Sequence, residues 1–308
     1  MDEVVEVDNL VRRYGQLVAV GGISFTVRRD EIFGILGPNG AGKTTTLETI
    51  EGLQTPTAGS TRVLGLDSHR QAAEVKQRIG VQLQASAYFD FLTLKEILAL
   101  FGSLYRRCLP PEMLLARVGL QEKINSLVKQ LSGGQQHRFS IAASMVNAPE
   151  VLFLDEPTTG LDPQARRSLW DLIRDIRTEG TTIVLTTHYM EEAETLCDRV
   201  AIMDNGHIAA LDTPERLIQG LGAPFHLRLL LSRPVEPADL TGAGIRTVMA
   251  DGEGRGRRFH LQATSVSDSL PSLLARLVDL QAQVLDLGVE KATLEDVFLT
   301  LTGKELRD

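Results

Sequence analysis

The stretch that decides the reading is IFGIL at 32–36 followed by GPNGAGKTT at 37–45 and a helix-like segment containing Leu47, Ile50 and Leu53. An apolar run of five residues suits a strand buried on both faces. The loop behind it fits GxxxxGK[ST], with the strand before it and the helix after it that this pattern requires. Gly37, Gly40 and Gly42 leave room for backbone N–H groups to curl around phosphate oxygens. The helix that follows points its positive end at the same anion. Pro38, Asn39, Ala41 and Thr45 complete the cradle. Lys43 is expected on the β- and γ-phosphates of a nucleotide, and the Thr44 hydroxyl on a magnesium ion.

Further apolar runs follow at 151–154 (VLFL), 182–187 (TIVLTT) and 199–203 (RVAIM). Between the first two lies a helix pattern, with Asp162 placed to cap it, Pro163 at its first position, and Ala165, Leu169, Leu172, Ile173 and Ile176 on one face. Strand and helix alternate, so the fold class expected is α/β with a P-loop nucleotide-binding core. Residues 86–148 break this rhythm and read as a helical insertion, with helices around 93–107 and 111–119.

After Gly220 and Gly222 the pattern changes. Strand-like runs at 226–231, 245–249 and 258–263, helical spacing of Leu270, Leu273, Leu274 and Leu277, another strand at 283–289 and a helix from Thr293 describe a small C-terminal α/β domain. Thr293 and Asp296 have capping-box spacing. The boundary falls near 221, giving domains 1–221 and 222–308. Arg255, Arg257 and Arg258 read as a solvated hairpin tip.

The 308 residues are 43% apolar and 23% charged, as in soluble globular proteins. No run of eighteen apolar residues is present, and the start, MDEVVEVDNL, is acidic. A cytoplasmic location is therefore expected. Cys108 and Cys197 form no CxxC pair and read as core fillers. The net charge of −8 argues against a general nucleic-acid partner, whose affinity would rest on Lys and Arg.

The strand at 151–154 delivers Asp155 and Glu156 to the crevice beyond the sheet. Asp155 suits the magnesium shell. Glu156 then becomes the candidate base for the attacking water, unless it only caps the turn before Pro157. LSGGQ at 131–135 places Ser132, Gly133, Gly134 and Gln135 at another helix start, either as a second phosphate surface or as an ordinary helix-entry turn.

GPNGAGKTT, LSGGQ, VLFLDEP, GLDP at 160–163 and His188 occur in the order found in ABC transporter ATPases, and the chain resembles them over roughly residues 3–220. The resemblance implies ATP and Mg2+ as ligands and ATP hydrolysis as the activity. It also implies a head-to-tail pair of ATPase subunits and a separate membrane-spanning permease, with the chain held at the cytoplasmic face of the membrane. Ser132, Gly133, Gly134 and Gln135 would then act on the nucleotide of the other subunit, and Asp162 would line the seam. His188, after strand TIVLTT, would contact the γ-phosphate and hold the water in line with Glu156.

Gln84 resembles the glutamine that reaches the magnesium site, although Gln82 is close by and Leu83 replaces the usual proline. Tyr14 resembles the aromatic that stacks on adenine, or else packs at a sheet edge. His137 and Phe139 depart from the usual residues after LSGGQ, and altered packing is expected there. The ending TLEDVFLTLTGKE at 293–305 resembles drug-exporter ATPases of the daunorubicin-resistance kind, which implies export, with import as the nearest rival. A soluble ABC ATPase acting on ribosomes or DNA would need two ATPase halves or a long coiled coil, neither of which is present. A scaffold with a dead site is disfavoured, since every catalytic position carries a competent residue.

Overall fold

The structure is a computed structural model, and it describes residues 2–82, 88–250 and 256–303. These fall into two compact units that divide between Thr213 and Pro214.

The first unit opens with β1 (Glu3–Tyr14) and β2 (Leu17–Arg28), an antiparallel pair. β3 (Ile32–Leu36) is buried at every residue and leads through the Gly-rich loop into α1 (Lys43–Ile50). Short elements follow: β4 (Ala58–Val63), β5 (Leu66–Asp67), α2 (Ala72–Lys76) and β6 (Ile79–Gln82). Three helices come next, α3 (Leu94–Gly102), α4 (Pro111–Arg117) and α5 (Gly133–Ser144). The unit is completed by β7 (Val151–Asp155), α6 (Pro163–Thr178), β8 (Thr182–Thr187), α7 (Met190–Leu196), β9 (Arg199–Asp204) and β10 (His207–Asp212).

Two sheets result. One is antiparallel in the order β2-β1-β4-β5; the other runs β10-β9-β3-β8-β7-β6 and is parallel apart from β10. Between them lies an apolar core in which Phe25 of β2 stacks on Phe33 of β3 at 5.1 Å. β7 and β8 are wholly buried, as unbroken apolar runs require.

The sequence reading left residues 3–28 unassigned. They form half-exposed strands whose alternation is interrupted by register shifts at several points, so no clean period of two is present. α3 ends at Gly102, well before 107, and Pro110 and Pro111 then start α4. Cys197 is buried, but Cys108 is exposed in the connection after α3 and fills no core.

The second unit contains α8 (Pro214–Gln219), β11 (Phe225–Val235), β12 (Ile245–Ala250), β13 (Gly256–Ala263), α9 (Val266–Asp279), β14 (Val284–Lys291) and α10 (Leu294–Thr302). Its antiparallel sheet has the order β12-β13-β11-β14. Leu273 and Leu277 of α9 pack on Leu227, Leu229, Phe259 and Leu261. The capping box of Thr293 and Asp296 is present. Leu294, Val297 and Phe298 are buried on α10, whereas Leu301 is exposed. Arg257 and Arg258 stand on β13, where Arg257 Nε donates to the Leu231 carbonyl, so they are strand residues and not a hairpin tip. Arg255 lies outside the described residues.

Candidate functional site

Strand register brings the first cluster together. Leu36 pairs with Thr187 across β3 and β8, and Asp155 pairs with Thr186 across β7 and β8. The next residues along the strands, Gly37, Glu156 and His188, therefore emerge within one residue step of each other at the carboxyl end of the parallel sheet, where ligands of open α/β sheets bind.

At Gly37 a β-carbon would lie 2.2 Å from the Met203 carbonyl oxygen. At Gly42 the backbone has φ +100° and a β-carbon would lie 2.4 Å from the Ala19 carbonyl oxygen. Both positions therefore demand glycine. Gly42 is the N-cap of α1, whose first turn carries no acidic residue, so its N–H groups face the loop without an internal anion. Lys43 is buried and donates to the carbonyls of Gly37 at 2.8 Å and Pro38 at 3.1 Å. Its ammonium also lies 3.1 Å from Glu156 Oε1.

Asp155 accepts from the Thr44 hydroxyl at 3.1 Å and from the Thr186 hydroxyl. Thr44 and Asp155 thus form a pair of hard oxygen donors. Magnesium is usually held by one or two protein oxygens together with phosphates and waters. This pair fits that requirement, even though no cluster of three or more acidic, His or Cys ligands occurs among the described residues.

Glu156 is buried and has φ +47°, a conformation costly for a residue with a β-carbon. Its N–H is held by Thr186, through Oγ1 at 3.0 Å and the carbonyl at 3.2 Å. Its Oε2 accepts from the Thr159 hydroxyl at 3.1 Å and lies 3.1 Å from His188 Nδ1. Burial pushes the Glu156 carboxyl up, but the Lys43 ammonium, its hydrogen bond and His188 outweigh burial and hold it below the usual glutamate range. The group is an ionised acceptor at neutral pH.

A cavity of about 480 Å3 lies elsewhere, but the one bordered by Lys43, Thr44, Glu156 and His188 measures about 810 Å3 and also reaches Tyr14, Asn39, Gly40, Gly42 and Thr45. Pro38 and Ala41 belong to the same loop. Tyr14 is 42% exposed, with the Arg12 guanidinium 4.5 Å from its ring centre. It stands at the end of β1, a strand flanked by β2 and β4. Leu17, Val18 and Asn205 also line this cavity and escaped the sequence reading, because they belong to strands and turns distant in the chain.

The LSGGQ residues are not in this cavity. Ser132, Gly133, Gly134 and Gln135 line a separate one of about 540 Å3 together with Gly160 and Asp162. Ser132 and Gln135 form a reciprocal capping box at the start of α5. Asp162 caps α6 by accepting from the N–H groups of Gln164 and Ala165 at 3.0 and 2.9 Å. His137 Nδ1 contacts the Pro157 carbonyl at 2.8 Å, and Phe139 is fully buried edge-on to Tyr88 at 5.1 Å. His137 therefore links the helix begun by LSGGQ to the turn beyond Glu156. Gln84 and Leu83 lie outside the described residues; Gln82 ends β6 with its side-chain oxygen buried.

A sequence profile described as "ABC transporter" matches residues 20–159. The chain is 38% identical to Nod factor export ATP-binding protein I of Ralstonia nicotianae, over 99% of this chain and 95% of that protein. It is 36% identical to daunorubicin resistance ATP-binding protein DrrA3 of Streptomyces coeruleorubidus, over 99% of this chain and 98% of that protein. Among solved structures, one described as the ATP binding subunit of an ABC transporter matches with a TM-score of 0.64 and 29% identity, over 71% of this chain and 93% of the other.

Proposed function

The chain belongs to the ABC transporter family of ATP-binding, ATP-hydrolysing subunits, and from this premise we propose that it works in a pair of such subunits to power export through a separate membrane-spanning permease. The observation that carries the pairing is the distance in the fold between the two Gly-rich, helix-initiating surfaces. One, with Lys43, Thr44, Asp155, Glu156 and His188, has the means to cradle phosphates and accept a proton. The other, with Ser132, Gly133, Gly134, Gln135 and Asp162, has helix N–H groups and hydroxyls but no lysine, and its carboxylate, Asp162, is engaged in capping α6. A second subunit placed head to tail would bring the second surface of one chain onto the nucleotide of the other.

Within one site, Lys43 holds the β- and γ-phosphates, and Tyr14 offers a π face to the purine. Thr44 and Asp155 would hold a magnesium ion, which when bound neutralises phosphate charge. Glu156 accepts the proton of the attacking water while His188, hydrogen-bonded to the same carboxylate, fixes the water's direction. Asp162 borders the seam between subunits.

No helix among the described residues is long and apolar enough to cross a membrane, and the permease is proposed from the family likeness. An apolar groove of about 480 Å3, lined in part by Val81, Tyr88, Phe101 and Leu104, supports a docking place for that partner. Export is favoured over import because the full-length relatives are named for export and drug resistance. A drug-like or lipophilic cargo is proposed on the same likeness.

The test mixes two inactive variants. Glu156→Gln lacks the base and Ser132→Arg blocks the second surface. A heterodimer carries one site with both lesions and one with neither, so an equal mixture should recover about a quarter of parental hydrolysis if the pairs exchange freely. Specific activity should also rise with protein concentration. A monomer at all concentrations with ATP, with constant specific activity and no recovery on mixing, would refute shared sites.

A further inference from the structure

Glu192 is completely buried, yet it lines none of the three cavities described above. It lies in the first turn of α7, one helical turn beyond His188. Its Oε1 accepts a hydrogen bond from the Thr158 hydroxyl at 2.8 Å and another from the Trp170 indole N–H at 2.9 Å. Thr158 belongs to the turn that follows Glu156. Trp170 belongs to α6, the helix that Asp162 caps. Three segments that carry proposed site residues therefore meet at one oxygen atom.

A carboxyl out of water is unfavourable unless donors are arranged around it, so this burial is a constraint on the surrounding chain and not a casual packing choice. The turn it holds is the one that needs holding. Glu156 has φ +47°, and such a backbone persists only where its surroundings over-determine it. Thr186 secures the turn at its start through the Glu156 N–H. Glu192 secures it two residues later through Thr158.

We infer that Glu192 is a positioning residue for ATP hydrolysis: it ties the turn bearing Glu156 to the helix behind His188, and both to α6, and so fixes the 3.1 Å spacing of Glu156 Oε2 and His188 Nδ1. The inference rests on Glu156 being the base. Because the bond runs through a hydroxyl, loss of that hydroxyl alone lets the turn relax while leaving the phosphate cradle around Lys43 in place. Misplacement of a reacting group by about an ångström can cost on the order of a hundredfold in rate.

The experiment measures kcat and KM for ATP, with thermal melts, on the full chain. Thr158→Val, close to isosteric, should lower kcat about tenfold while KM stays within about twofold. Thr158→Ser should restore kcat to within about twofold, since it returns the donor. Glu192→Gln, whose amide oxygen can accept the same two bonds, should stay nearer the parent than Glu192→Ala. Should Thr158→Val fail to fold, Trp170→Phe removes the other donor, and a fall in kcat at constant KM is expected there too. Parental kcat in folded Thr158→Val or Trp170→Phe, a loss confined to KM, or a loss that Thr158→Ser does not repair would overturn the positioning role. A Glu156→Gln control separates the two levels. If that control is inactive while Thr158→Val is parental, the positioning role alone is wrong; if the control hydrolyses ATP at the parental rate, the base assignment falls and this inference with it.

Discussion

Glu51 offers a test of the interior electrostatics by a single isosteric change. It follows α1 as its C-cap residue, is 1% exposed, and neither of its carboxyl oxygens has a hydrogen-bond partner. Burial first, then the nearby Asp155 and Glu48 carboxylates, push it up from the ordinary 4.5 to about 8. Between those values the folded protein keeps a proton that the unfolded chain has released. The stability tied to this proton is complete below pH 4.5 and is lost as the pH rises through about 8. The displacement corresponds to a loss of order 5 kcal/mol for this one group. Glu51→Gln presents a neutral amide at every pH and should escape it.

Urea unfolding followed by the fluorescence of Trp170 measures this directly, since it is the only tryptophan and is buried in the first unit. With a slope of about 2–3 kcal/mol per molar urea, the variant's midpoint should exceed the parent's by roughly 2 M near pH 9. Near pH 5 the gap should nearly close, to about 1 kcal/mol or less. A midpoint difference that is the same at both pH values would refute the burial argument.

Glu156→Gln should retain ATP binding within a few fold and lose about a hundredfold or more in turnover, read by phosphate release. Lys43→Ala should weaken ATP binding by about tenfold to a hundredfold in a direct titration, as expected for a charged hydrogen bond. Unchanged affinity would remove Lys43 from the phosphate cradle. Gly37→Ala drives a β-carbon into the Met203 carbonyl, which cannot swing aside as a side chain would. It should lower stability by about 1–3 kcal/mol in the same urea assay, and a melting curve superposable on the parent's would contradict that packing.

What could be read from the sequence had strong local signals. The runs at 151–154 and 182–187 are strands because every residue in them is apolar or Thr and both faces are covered. Asp162 and Pro163 announce α6 by capping chemistry alone. The proposed catalytic cluster was legible to the extent that each member follows a strand or opens a helix in a recognisable pattern. Its supports were not: Thr186 on Asp155, Thr158 on Glu192 and His137 on the Pro157 carbonyl join residues 20 to 34 positions apart. No periodicity marks such a pairing, because it exists only once the sheet has set the strands in register. The antiparallel sheet of β1, β2, β4 and β5 was hidden for a related reason, since bulged and half-exposed strands carry a weak alternation.

The alignment of β3, β8 and β7 carries one more lesson, about how such a protein tolerates change. Three candidate site residues emerge together because three buried strands end within one step of each other, Leu36 beside Thr187 and Asp155 beside Thr186. A strand advances about 3.3 Å per residue and turns each successive side chain to the opposite face. One residue inserted within β7 would therefore carry Glu156 past its neighbours and reverse its direction, even if every residue type were kept. Substitutions at these strands trade one apolar side chain for another at modest cost, but their lengths are fixed. An added residue at the opposite ends of the strands would leave this register undisturbed.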